Sequence, residues 1–169
     1  MFTRSLELPP PGTETFFLWG PRQAGKTTLL RQVYGASRWV DLLKAEEFRR
    51  YLARPERLRE ELDADPPGPR KQVVIDEVQK VPALLDEVHW LIENRGFHFA
   101  LCGSSARKVR RGAANLLGGR ALRYELHGLT AAELGREFDL GRLLNHGYLP
   151  RIYEAERPGR CSRPMSPTT

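Results

Sequence analysis

Sulfur is scarce in this chain, with two cysteines and two methionines among 169 residues. Cys102 and Cys161 lie far apart and have no partners at metal-ligand spacing. That pattern indicates a reducing compartment or nothing at all. No apolar run approaches the roughly 20 residues that a bilayer span requires. The opening stretch MFTRSLELPPPG carries no apolar segment before its prolines. No secretory leader is therefore expected, and the expected setting is cytoplasmic, with no membrane partner. His89, His98, His127 and His146 are scattered without a carboxylate or cysteine at ligand spacing. They read as packed or surface histidines rather than metal ligands. The dinucleotide fingerprint G-x-G-x-x-G is missing, as is the guanine-reading Asn-Lys-x-Asp. There is no internal repeat and no low-complexity tract.

What remains is ordinary globular composition, 40% hydrophobic and 28% charged, with a mean hydropathy of -0.50. The length suits one domain, and such a chain buries about 68–70% of its unfolded surface. The net charge is +6. Basic chains often meet nucleic acid, although an arginine-rich composition also follows from a genome's base composition. The excess is concentrated in Arg107, Lys108, Arg110, Arg111, Arg120 and Arg123, with no acid between them. This run reads either as a solvated helix face or as a surface facing phosphate or an acidic neighbour.

Strand-length apolar runs alternate with helical patterns. Strands are expected at Phe16 to Trp19, Arg38 to Leu43, 72–78, 97–105 and 121–129. Helices are expected at Lys26 to Tyr34, over 45–63 with a break at Pro55, over 83–94 and over 106–117. The segment 64–70, ADPPGPR, is a loop by its turn residues. Alternation of this kind predicts parallel βαβ units, an α/β sandwich with its ligand at the C-terminal ends of the strands.

The strongest motif is Gly20-Pro21-Arg22-Gln23-Ala24-Gly25-Lys26-Thr27, followed by Thr28. It fits G-x-x-x-x-G-K-[ST] and sits after a strand and before a helix, as phosphate binding requires. Its glycines let successive N–H groups turn inward toward an anion, and the helix N-terminus adds positive potential. Lys26 is expected on the β- and γ-phosphates and the Thr27 hydroxyl on Mg²⁺. Further along, QVVIDEV ends in Asp76 and Glu77. Asp76 suits the Mg²⁺ shell, and Glu77 suits the base that polarises a water for attack on the γ-phosphate. Small-molecule kinases of this class seldom need that base, so hydrolysis leads. The fourth strand ends in Gly103-Ser104-Ser105. Ser104 is allotted the role of γ-phosphate sensor and Ser105 that of helix cap. Cys102, inside an apolar strand, reads as a small core residue.

GPRQAGKTT, VVIDEVQKVP with LLDEVHWLIE after it, LCGSSARKVR and LLGGRA together resemble prokaryotic AAA-superfamily ATPases that carry a C-terminal domain of unknown function. The likeness runs from about Phe16 to about Tyr153. It implies a P-loop NTPase three-layer α/β/α sandwich, a mainly parallel five-stranded sheet with the sensor strand between the P-loop and acidic strands, and ATP as the nucleotide. It also implies that Arg120 is a trans-acting arginine finger, hence a homo-oligomer. A cation on a helix dipole is the plain alternative for Arg120. The expected organisation is an N-terminal extension at 1–13, an ATPase core at 14–137, and a connection toward a further domain at 138–157. A tail at 158–169 reads as an out-of-frame product, with the helical lid and C-terminal domain missing. Two functions stay open: an ATP-hydrolysing module, and a nucleotide-controlled regulatory or DNA-binding switch with little turnover.

Overall fold

Residues Phe16–Trp19 form β1, and all four are buried. Side chains alternate across a strand, so Phe17 and Trp19 enter one apolar cluster while Phe16 and Leu18 enter another. A strand covered on both faces reads as an unbroken apolar run, which is how FFLW appears in the sequence. The computed structural model describes residues 2–68, 71–104 and 117–153.

From β1 the chain continues through α1 (Lys26–Tyr34), β2 (Arg38–Asp41), α2 (Ala45–Ala53), α3 (Arg57–Ala64) and β3 (Gln72–Asp76). It then forms α4 (Leu84–Arg95), β4 (His98–Gly103), β5 (Leu122–Glu125) and the short helices α5 (Ala131–Leu134), α6 (Leu140–His146) and α7 (Pro150–Tyr153). The strand order is β2-β3-β4-β1-β5, and every neighbouring pair is parallel. The expected α/β fold is present, with β4 between the P-loop strand and the acidic strand.

Helices cover both faces of the sheet. Tyr51, Leu58, Leu62, Leu84, Leu85, Val88 and Leu91 from α2 to α4 pack with Val73, Ile75, Phe99 and Leu101. On the opposite face, Leu29, Leu30 and Tyr34 of α1 pack with Val74, Ala100 and Cys102. Truncating one of these buried leucines to alanine would cost about 2–5 kcal/mol.

Several boundaries differ from the expected ones, for local reasons. The second strand stops at Asp41 because its side-chain oxygen accepts from the Leu43 N–H at 3.0 Å, turning the chain. The third strand stops at Asp76 because Glu77 is left-handed (φ 59°, ψ 42°) and opens a short 3-10 turn, Val78–Lys80. Pro55 divides the helical stretch as its missing N–H demands, leaving α2 and α3 on either side. Ser105, the helix expected at 106–117 except for its last residue, Leu117, which stands in a turn, and the tail at 158–169 lie outside the described residues.

The N-terminal residues form no regular element but are strapped to the core. Leu6 and Leu8 pack on the α1 side of the sheet. The Tyr34 hydroxyl donates to the Pro9 carbonyl at 2.5 Å, and the Gly12 N–H donates to Gln72 Oε1 at 2.9 Å. Beyond β5, Leu129, Leu134 and Tyr153 make a third small cluster with Phe2 and Leu143. Among the described residues, no helix is long and apolar enough to cross a membrane.

Candidate functional site

The turn after β1 is built on two glycines. A Cβ at Gly20 would collide with the Leu126 carbonyl, so only glycine lets the loop lean against the segment following β5. Gly25 caps α1 in the left-handed region (φ 90°, ψ 15°), with no side-chain cap. No acidic residue occupies the first turn of α1. The helix N-terminus therefore keeps its N–H groups and its positive field for an anion.

Lys26 is buried. Its ammonium donates to the Gly20 and Pro21 carbonyls, both at 2.8 Å. Those two bonds hold the charge over the loop, and an ammonium has three donors. Arg22, Gln23, Gly25, Thr27 and Thr28 line the same cleft of about 740 Å³, together with Leu43, Glu77, Arg4, Phe2, Pro150 and Arg151. Basic side chains outnumber the acid on this wall, as an anion site requires. Pro21 and Ala24 complete the loop: the Pro21 carbonyl accepts from Lys26 and also from the Ala24 N–H at 3.4 Å.

The sheet order brings the acidic strand to this loop. Asp76 is buried, and its Oδ2 accepts from the Thr27 hydroxyl at 2.8 Å. Two hard oxygens at this spacing suit Mg²⁺, which is commonly held by one or two protein oxygens plus phosphates and water. Among the described residues there is no group of three or more His, Cys, Asp and Glu that could cage a metal by itself. The donor set thus fits a cation that arrives with phosphates.

Glu77, turned out of the strand by its left-handed backbone, meets Ser104 through Gln79. The Gln79 amide nitrogen donates to Glu77 Oε2 and to Ser104 Oγ at 3.1 Å. The Ser104 hydroxyl also reaches Glu77 Oε2 at 3.5 Å. The other end of the amide, Gln79 Oε1, is buried without a hydrogen-bond partner among the described residues. It rests on Gly103, where a Cβ would collide with it and with the Trp19 ring. Gln79 was not among the expected site residues. Its only sequence signal is that it follows the Asp-Glu pair by two positions.

Cys102 is fully buried in β4, opposite Asp76 in register. Burial, with the Asp76 carboxylate close by, pushes its thiol well above the usual range. It packs under the site as a neutral residue.

Arg120 stands apart. It pairs with Glu93 of α4, both side chains partly exposed. It is not among the described residues lining the cleft.

Comparison with known proteins places the chain in a family. No curated protein matches the chain. A solved structure of the Aeropyrum pernix ORC2 protein, in ADPNP-ADP complexes, is similar at 16% identity with a TM-score of 0.47. The likeness covers 72% of this chain and 44% of that one, so the chain spans less than half of that protein's length. Residues 13–135 match the sequence model of the AAA domain, and the chain therefore belongs to the AAA-superfamily P-loop ATPases.

Proposed function

We propose that this chain is an ATP-binding ATPase core that hydrolyses ATP to ADP and phosphate with Mg²⁺, in the cytoplasm, coupled to a partner it does not itself reveal. The observation that carries the reading is the meeting of Thr27 with Asp76 beside the buried Lys26. An accidental glycine turn has no reason to bring a carboxylate from another strand to the first hydroxyl of the helix.

In this reading the loop N–H groups and Lys26 hold the phosphates, while Phe2 and Pro150 offer apolar walls suited to a purine. Thr27 and Asp76 hold the cation, which when bound neutralises charge developing on the phosphate oxygens. Glu77 accepts the proton of the attacking water. Gln79 keeps the Glu77 carboxylate and the Ser104 hydroxyl together, so base and sensor face the same point. Arg120 serves a neighbouring copy. Releasing it from Glu93 costs little, because exposed ion pairs are worth about 0–1 kcal/mol.

The decisive experiment is ATP binding and turnover with Mg²⁺ for the wild type and Lys26→Ala. Loss of the buried ammonium should weaken binding by roughly 10- to 100-fold, the worth of a charge-assisted hydrogen bond. Unchanged affinity in a folded Lys26→Ala protein would sink the assignment.

A further inference from the structure

Arg4 lies outside every helix and strand, yet its side chain is only 8% exposed. Its Nη1 donates to the Ala24 carbonyl in the phosphate loop at 2.5 Å. Nη2 donates to the His127 and Gly128 carbonyls at 2.7 and 3.2 Å. Nε donates to Glu133 Oε1 at 3.0 Å. A guanidinium carries its donors in one rigid plane, so three separate stretches of chain are held in a single geometry.

The grip on Ala24 matters because of the peptide bond. The Ala24 carbonyl and the Gly25 N–H belong to one planar trans group and point in opposite directions. Fixing the oxygen from outside the loop aims that N–H the other way. Gly25 lines the cleft and, lacking a side chain and sitting at φ 90°, is where the loop would otherwise turn most freely.

Glu133 is a firm anchor for this grip. It also accepts from the Ser5 N–H at 2.9 Å, the Ser5 hydroxyl at 3.0 Å and the Thr130 N–H at 2.9 Å. With Thr130 it forms the capping box that starts α5. Its side chain is 3% exposed.

We propose that Arg4 is a positioning residue of the phosphate loop, anchored on Glu133, which sets the Gly25 N–H in its anion-facing direction before any anion binds. Seating of the N-terminal segment on α5 and readiness of the nucleotide site then become one equilibrium. The proposal rests on the nucleotide-binding reading above. Its benefit is pre-organisation: the loop does not have to be ordered at the ligand's expense.

The test compares wild type, Arg4→Lys, Arg4→Ala and Glu133→Gln by ATP and ADP affinity, melting temperature, and amide exchange of nucleotide-free protein over residues 20–28. Arg4→Ala should lose affinity about tenfold or more, with faster exchange at Gly25 to Thr27 while β3 and β4 stay protected. Arg4→Lys should not rescue, because a point charge cannot serve acceptors on three segments. Glu133→Gln should shift both readouts in the same direction by a smaller factor. A folded Arg4→Ala protein with wild-type affinity and wild-type loop exchange overturns the proposal. If Arg4→Ala does not fold, unchanged affinity and exchange in Glu133→Gln overturn it. A wild type that binds no nucleotide sinks the functional reading instead, while loop exchange in the free protein still decides whether Arg4 holds the loop.

Discussion

The Thr27 hydroxyl of α1 and the Asp76 carboxylate at the tip of β3 meet at 2.8 Å, although β4 separates β3 from β1, the strand that leads into α1. The bond joins the helix after the phosphate loop to the tip of the acidic strand, and its two oxygens are the proposed cation ligands. Asp76→Asn keeps an acceptor for Thr27 and removes the charge. Binding of ATP in EDTA should stay within about threefold of wild type. Turnover with Mg²⁺ should fall by about 10²-fold or more, the scale seen when a group that stabilises transition-state charge is removed. Undiminished turnover across a Mg²⁺ titration would remove Asp76 from the metal site.

Glu77→Gln and Gln79→Leu test the base and the residue that holds it. Glu77→Gln should bind ATP as wild type does and lose about 10²- to 10⁴-fold in turnover, the range for general-base catalysis. Gln79→Leu keeps similar bulk against Gly103 but drops the donor to Glu77 and Ser104. It should lower kcat by a smaller factor with KM unchanged. An increase in KM alone would show that Gln79 acts on binding rather than on the base.

Mixed variants test Arg120. Arg120→Ala should lower turnover without weakening ATP binding. Mixing it with Lys26→Ala should restore part of the activity, since each protein supplies what the other lacks. Wild-type turnover per molecule should also rise with protein concentration. No rescue at any mixing ratio would leave Arg120 as the surface partner of Glu93 alone.

Acid should loosen the N-terminal segment at a defined point. Burial works against ionisation of Glu133, but the Ser5 and Thr130 N–H groups, the Arg4 guanidinium and the Ser5 hydroxyl outweigh it and bring its pKa down to about 2. An unfolded glutamate titrates near 4.3. The folded value is the lower one, so the stabilisation is complete above about pH 5 and is lost as pH falls from about 4 toward 2. Glu133→Gln should be less stable than wild type at pH 7, and the difference should shrink through that window. Thermal melts of both proteins at several pH values check the sign.

The proposed phosphate site is the most legible part of the sequence, because the chemistry proposed for it constrains local spacing. A loop that curls around phosphate needs its glycines, lysine and threonine at set positions, and Asp76 is announced by an apolar strand ending in acid. The boundaries of α1 agree with the expected Lys26 to Tyr34, since both ends carry local signals. Glu77 was named, but its left-handed backbone was not readable, because nothing in the residue type demands it. Gln79 and Arg4 escaped for a different reason. An amide two positions after an acid and an arginine in a proline-rich segment have no pattern of their own. Gln79 reaches Ser104 from 25 residues away and Arg4 reaches Glu133 from 129 residues away, contacts that only the folded topology creates. Arg120 could be located near the start of β5, while its pairing with Glu93 depends on how α4 packs.

The place of β1 in the sheet bears on how the protein is made. β2, β3 and β4 follow one another in sequence and pair side by side, so they can assemble while the rest of the chain is still in the ribosome. β1 emerges before all of them but pairs with neither β2 nor β3. Its partners begin at Ala100 and Leu122, and the loop after it leans on Leu126. Closing such long stretches costs chain entropy before any contact repays it, which slows the step. The first strand synthesised therefore waits for β4 before it has any partner in the sheet, and for β5 before it has both. A nascent chain halted short of β5 carries the complete Gly20 to Thr27 motif and has no finished site in which to use it.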